Sequence, residues 1–172
     1  MITKKGSEGK NALEIKGIVE KIGKKLDFIT CFEIAGNAAN IKFDHEYTPE
    51  VDAAWILDLS NNLKMKHLNF ITDNVDELSK EDFSKLPLVG FEIEASDVTS
   101  KGQLCNAANL FVQHYHFGFL IVDEDVGSKD LYRRAAKILR TFRYQYGHKD
   151  YFPLSKGQLK LLINNHAQRT WY

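Results

Sequence analysis

Cysteines, prolines and long apolar runs are scarce in this chain, and each scarcity argues against a class of protein. There are two cysteines, Cys31 and Cys105, and no Cys-x-x-Cys pair. A disulfide framework or a thiolate zinc knuckle is therefore not expected, and both residues read as buried free thiols. Three prolines and eleven glycines leave no stretch that reads as a linker. No segment approaches the ~20 apolar residues of a membrane span, and residues 1–10 are polar with no apolar signal-peptide core, so a cytoplasmic location is expected. Charge of one sign is lacking too, since 23 Lys+Arg balance 23 Asp+Glu. Any contact with nucleic acid must come from a local cluster and not from bulk charge. No Gly-x-Gly-x-x-Gly, P-loop or nucleophile-elbow serine is present, so no nucleotide cofactor is expected.

What is present fits a single domain over residues 1–172. A composition of 44% hydrophobic and 27% charged residues is close to the globular average. Residues 9–26 read as an amphipathic helix capped by Ser7. Ile15, Ile18, Val19, Ile22 and Leu26 form its stripe, with Lys10, Lys16, Lys21, Lys24 and Lys25 outside it. Residues 28–46 read as a hairpin turning at Gly36-Asn37, and 51–57 as a strand. Asn61-Asn62 marks a turn, 65–71 a further strand, and 76–85 a short acidic helix or loop. Pro87 opens a strand over 88–95. A helix capped by Ser100 follows, with Leu104, Ala107, Ala108, Phe111 and Val112 as its stripe. Residues 117–122 are nearly all apolar, as in a central strand buried on both faces, and 123–127 form a polar turn. Ser128 then caps a helix over 129–145 with the stripe Leu131, Ala135, Ile138, Leu139 and Phe142, and a last helix covers 156–165. Ser-Lys-Gly-Gln-Leu occurs at 100–104 and again at 155–159, opening a helix each time; shared capping chemistry accounts for the echo. A strand–helix–strand unit over 88–122 implies a parallel pair, and the earlier turns imply antiparallel strands. The fold class is α/β with a mixed sheet flanked by helices.

Chemistry concentrates in three acids. Asp52 is the one charge in Val-Asp-Ala-Ala-Trp-Ile-Leu, and Glu92 and Glu94 lie in Phe-Glu-Ile-Glu-Ala-Ser. Side chains two apart on a strand share a face, so Glu92 and Glu94 point one way while Phe91, Ile93 and Ala95 point the other. Alone, Glu-x-Glu also describes the solvated face of an edge strand. Together with Asp52, and without matching lysines on those strands, the acids describe a site for a hard cation such as Mg²⁺ or Mn²⁺.

Val-Asp-Ala-Ala-Trp-Ile at 51–56, Phe-Glu-Ile-Glu-Ala-Ser at 91–96, and the following Ser-Lys-Gly with its Asn/Leu-rich helix resemble the PD-(D/E)xK nuclease superfamily. The likeness is to its restriction-endonuclease-like branch and covers about residues 51–122, with the helix at 9–26 in the place of the superfamily's leading helix. It implies a restriction-endonuclease-like fold with a central mixed sheet of four to five strands flanked by helices. It also implies a Mg²⁺-dependent (or Mn²⁺-dependent) DNA endonuclease in which Asp52 and Glu92 are metal ligands. The family's lysine, two residues after the second acid, is Glu94 here, and the proline before the first acid is Val51. Glu94 then serves as general base or as a further ligand, or Lys101 supplies the ammonium. Glu20 on the leading helix is a candidate outer carboxylate. By analogy the nuclease works as a homodimer, one strand cut per subunit. The departure at Glu94 motivates an alternative, a degenerate member that binds DNA or a protein without cutting.

The helix at 129–145 carries the densest basic cluster, with Lys129, Arg133, Arg134, Lys137, Arg140 and Arg143 against Asp130. Arg133, Lys137, Arg140 and Tyr144 share one face, suited to tracking phosphates. Arg133, Arg134, Lys137 and Arg140 are the DNA-binding candidates. Tyr144, Tyr146, His148, Lys149, Tyr151 and Phe152 interleave aromatics with charge, as a packed tail or a base-contacting segment would. His114 and His116 lack a zinc-ligand spacing.

Overall fold

A computed structural model of the chain describes residues 9–35, 50–62, 85–96, 99–112, 115–125, 130–147 and 150–166. The fold is α/β. Five strands, β1 (Ile29–Ala35), β2 (Glu50–Asp58), β3 (Lys85–Glu94), β4 (Phe117–Val122) and β5 (Tyr151–Ser155), form one mixed sheet in the order β1-β2-β3-β4-β5. β1, β2 and β3 are antiparallel neighbours, whereas β3, β4 and β5 run parallel. The helices α1 (Lys10–Lys25) and α4 (Lys156–His166) cover one face, while α2 (Ser100–Val112) and α3 (Leu131–Tyr146) cover the other. Among the described residues no helix is long and apolar enough to cross a membrane.

The α1 stripe forms as its spacing predicts, with Ile15, Ile18, Val19 and Ile22 buried against Ala53, Trp55, Val89 and Phe91. Trp55 locks this helix to the sheet by donating from Nε1 to the Val19 carbonyl at 3.1 Å. Two members of the pattern differ. Leu26 is exposed beyond the end of the helix, and Lys16, expected on the solvent face, is buried. Lys16 pairs there with Glu33 at 3.7 Å and lies over the Phe32 ring. Gly9 stands at the helix N-cap, and Ser7 lies outside the described residues.

β1 pairs with β2, Ile29 opposite Ile56 through Ala35 opposite Glu50, and residues 36–46, the rest of the hairpin expected within 28–46, lie outside the described residues. The turn at Gly36-Asn37, the strand expected at 65–71 and residues 76–84 lie outside the described residues, whereas Lys85 opens β3. Asn61 and Asn62 do lie in a turn, closed by the Asn62 N–H on the Leu59 carbonyl. Pro87 sits inside β3 and not at its start, where the β2 register shifts between Trp55 and Ile56. A residue without an N–H is tolerated at such an irregularity.

On the other face, α3 buries Leu131, Ala135 and Leu139 with Ile138 and Phe142 beside them, and ends at the left-handed Gly147. Asp130 stands at its N-cap in place of the expected Ser128, which with Lys129 lies outside the described residues. In α2 the buried stripe is Gln103, Ala107, Leu110 and Phe111, leaving Leu104 and Val112 exposed. The cap is Thr99, whose Oγ1 accepts from the Gly102 N–H, in place of Ser100. The second copy of the echo behaves differently. Ser155 Oγ accepts from the Gln158 N–H while Gln158 Oε1 accepts from the Ser155 N–H, a reciprocal capping box.

β5 is the element that sequence patterning missed. The aromatic stretch read as a tail contributes the edge strand beside β4, and Tyr151 is buried across Gly118, donating from its hydroxyl to the Tyr115 carbonyl at 2.8 Å. A Cβ at Gly118 would collide with that ring. Asp123, expected in a polar turn, is fully buried and paired with Lys156. Cys31 is half-buried, and Cys105 is exposed, contrary to the expected buried thiol.

Candidate functional site

β3 is an interior strand, and its alternation sorts its side chains between the two cores. Phe91 joins the core under α1 and α4, with Ile93 and Ala95 packed against it, whereas Glu92 and Glu94 reach α2. The β2–β3 pairing of Ala53 with Phe91 and Ala54 with Gly90 carries Asp52 opposite Glu92 one step further on. At that step the Asp52 side chain takes up the ladder, its Oδ2 accepting from the Ile93 N–H at 2.7 Å. The carboxyls of Asp52 and Glu92 hydrogen bond to each other, which requires a shared proton. The structure thus brings Asp52 and Glu92 into contact, with Glu94 beside them.

Burial sets the electrostatics. Glu92 is 3% exposed. Desolvation, reinforced by the Asp52 charge, pushes its carboxyl up to about 10 against the opposing hydrogen bond from Asn109. Glu94 is fully buried and is likewise raised, first by desolvation, with the Asn106 hydrogen bond opposing. Asn106 Nδ2 donates to Glu94 Oε1 at 2.8 Å, and Asn109 Nδ2 donates to Glu92 Oε1 at 3.1 Å and to the Glu50 carbonyl at 3.2 Å. Glu94 Oε2 is buried with no hydrogen-bond partner among the described residues.

Two observations decide whether these groups suit a hard cation. Among the described residues no group of three or more His, Cys, Asp or Glu side chains could hold a metal ion. Mg²⁺, however, is commonly held by one or two carboxylates with water completing its shell. A contacting Asp52–Glu92 pair that must share a proton, next to a Glu94 oxygen with no hydrogen-bond partner among the described residues, offers the oxygen donors that such an ion takes. The residues fit a two-carboxylate site.

The other candidates fall in different places. Lys101 is exposed on the first turn of α2. The cation whose charge reaches Glu94 is Arg134 of α3, whose Nη1 also donates to Ser100 Oγ at 3.3 Å. Glu20 belongs to α1, on the opposite face of the sheet from Glu92 and Glu94, and pairs with Lys24 at 2.9 Å. Arg133, Lys137 and Arg140 are exposed on α3 and Tyr144 is 92% exposed. Asp130, Arg133, Arg134 and Lys137 line a depression of about 270 Å³. His116 is exposed with its ring edge-on to Phe117, and His114 lies outside the described residues.

Sequence reasoning missed Asn106 and Asn109. Their signal was a pair of asparagines three apart inside a helix, where asparagine is a poor former, directly after a Glu-x-Glu strand. Glu33 was also overlooked. The β1–β2 register places it across from Asp52, but its backbone is left-handed (φ 50°) and its carboxylate pairs with Lys16. Comparison of the chain with protein-family models, with curated proteins and with solved structures finds no match.

Proposed function

We propose that this chain is a Mg²⁺-dependent DNA endonuclease of the PD-(D/E)xK superfamily, with a restriction-endonuclease-like fold. The observation that carries the proposal is the convergence of Asp52 and Glu92, from neighbouring strands, with Glu94 beside them. The five-stranded mixed sheet with helices on both faces agrees with the fold the resemblance implies.

Asp52 and Glu92 would hold the divalent ion, Mg²⁺ or Mn²⁺, whose chemistry when bound is to acidify water and neutralise charge developing on a phosphate. The chain's own groups do the rest. The Ile93 N–H fixes Asp52 Oδ2, and Asn109 fixes Glu92. Glu94, its carboxyl raised by burial, is a stronger base than an ordinary carboxylate, and its Oε2 takes the proton of the attacking water. The water oxygen bonds to phosphorus, the phosphorus–oxygen bond to the leaving sugar oxygen breaks, and that oxygen is protonated from solvent. Arg133, Lys137 and Arg140 on the exposed face of α3 grip the flanking phosphates.

The test is nicking of supercoiled plasmid. Cleavage that appears with Mg²⁺ or Mn²⁺ and stops with a chelator is expected; no cleavage with either ion overturns the endonuclease. One observation favours a second function, binding DNA or a protein without cutting. Glu94 stands where the family carries lysine, and Asp52 and Glu92 satisfy each other without an ion. DNA retardation that is indifferent to divalent ions is its signature.

Phosphate contact by α3 predicts a salt effect. Each of Arg133→Ala and Lys137→Ala should reduce the slope of log affinity against log salt by about 0.9, the release of roughly one counterion. Binding titrations between low and moderate salt measure it, and an unchanged slope removes α3 from the interface.

A further inference from the structure

Asn106 and Asn109 stand three residues apart on α2, so their side chains leave one face of the helix. That spacing meets two glutamates two apart on β3, one amide to each carboxyl: Asn106 on Glu94 Oε1 at 2.8 Å and Asn109 on Glu92 Oε1 at 3.1 Å. Asn109 reaches further, its second bond going to the Glu50 carbonyl at 3.2 Å. It therefore ties the start of β2, two residues from Asp52, to the strand that carries Glu92. Asn106 leaves the other oxygen of Glu94 buried and without a hydrogen-bond partner among the described residues. An amide is a neutral donor. It fixes a carboxylate's rotamer without cancelling its charge, whereas a lysine at the same place would fix it and neutralise it.

We infer that Asn106 and Asn109 are positioning residues with separate tasks, an inference that rests on the metal-nuclease function proposed above. Asn109 sets Glu92, and with it the spacing to Asp52, for the divalent ion. Asn106 turns Glu94 so that Oε2 faces the attacking water. Together the two amides orient the acids in a site whose family lysine is replaced by Glu94, and they leave its negative charge available to a cation.

The inference predicts a division that a purely structural role would not produce. Asn109→Leu and Asn106→Leu remove the donors at similar volume. Mn²⁺ alone is titrated into each full-length protein and followed by electron paramagnetic resonance, and kcat and KM are measured on plasmid DNA. Asn109→Leu should weaken Mn²⁺ binding by about 10–100-fold, the usual cost of losing a group that orients a metal ligand. Asn106→Leu should leave Mn²⁺ affinity unchanged and lower kcat by about 10–100-fold at unchanged KM. The inference is overturned if both variants match the wild type, or if both lose affinity and kcat alike in step with a fall in melting temperature. Wild-type protein that binds no Mn²⁺ overturns the metal function and this inference together. Wild-type binding and cleavage with indifferent variants overturns this inference alone.

Discussion

Asp52→Asn and Glu92→Gln should each reduce the proposed Mg²⁺-dependent cleavage by on the order of 10³-fold or more while leaving the sheet assembled. These amides are cleaner than alanine. Asn at position 52 keeps an oxygen for the Ile93 N–H, which alanine would leave unpaired at a cost of about 1–3 kcal/mol. Gln at position 92 still accepts from Asn109 and can donate to Asp52, where wild type needs a shared proton. The same substitution should therefore stabilise the protein as it abolishes activity. Glu92 has a folded-state pKa of about 10 against 4.5 for the free group, so across that interval the folded chain holds a proton that the unfolded chain has released. Its contribution to stability falls as pH rises through the interval. Glu92→Gln removes that loss, and urea denaturation should show little gain in stability near pH 5 and a gain near pH 8 that grows with pH by at most about 1.4 kcal/mol per pH unit. Equal midpoints at both pH values would mean that Glu92 is solvated and ionised.

Lys156→Ala is expected to be the most destabilising single change, at about 3–5 kcal/mol. Lys156 is 5% exposed, and its ammonium lies 3.0 Å from Asp123, which is fully buried, and 2.9 Å from Glu14. Removing the ammonium leaves the Asp123 carboxylate without its ion pair at the end of β4 and takes away one of the two lysines of α4 that hold Glu14 of α1, the other being Lys160 at 2.8 Å. Replacing both partners, as Lys156→Met with Asp123→Leu, should recover most of the loss, because the cost lies in the orphaned charge and not in the missing attraction. Urea denaturation measures both, and a loss below about 1 kcal/mol, the usual range for exposed pairs, would contradict the burial. Acid adds a second signature. Lys160 and Lys156 hold the Glu14 carboxyl down to about 2, so its contribution is present above 4.5 and is lost as pH falls toward 2. In Lys156→Ala that acid limb should be shallower.

What the sequence made legible was what periodicity controls. The stripes of α1 and α3, the apolar run of β4 and the sorting of Glu92 and Glu94 away from Phe91 and Ile93 follow from spacing alone. β5 escaped because Pro153 and the mixture of aromatics and charge hide a strand whose place depends on β4 beside it. Lys16, Asp123 and Lys156 are buried because partners distant in sequence neutralise them, and no local pattern carries that information. The α2 stripe was drawn from its apolar residues alone. The helix instead turns Gln103 and the two asparagines inward, Gln103 donating to the Leu131 carbonyl, because the acids of β3 and the start of α3 need donors there. At the site, residue types and strand positions were readable, while the Asp52–Glu92 contact, the asparagines and the approach of Arg134 required the folded chain.

The most direct test is a crystal of the protein grown with Mn²⁺ and measured for anomalous scattering at the manganese edge. A peak bound by the carboxylates of Asp52 and Glu92, which then no longer share a proton, is the predicted result. An anomalous map with no peak there, while the two carboxyls stay hydrogen-bonded to each other, would contradict it.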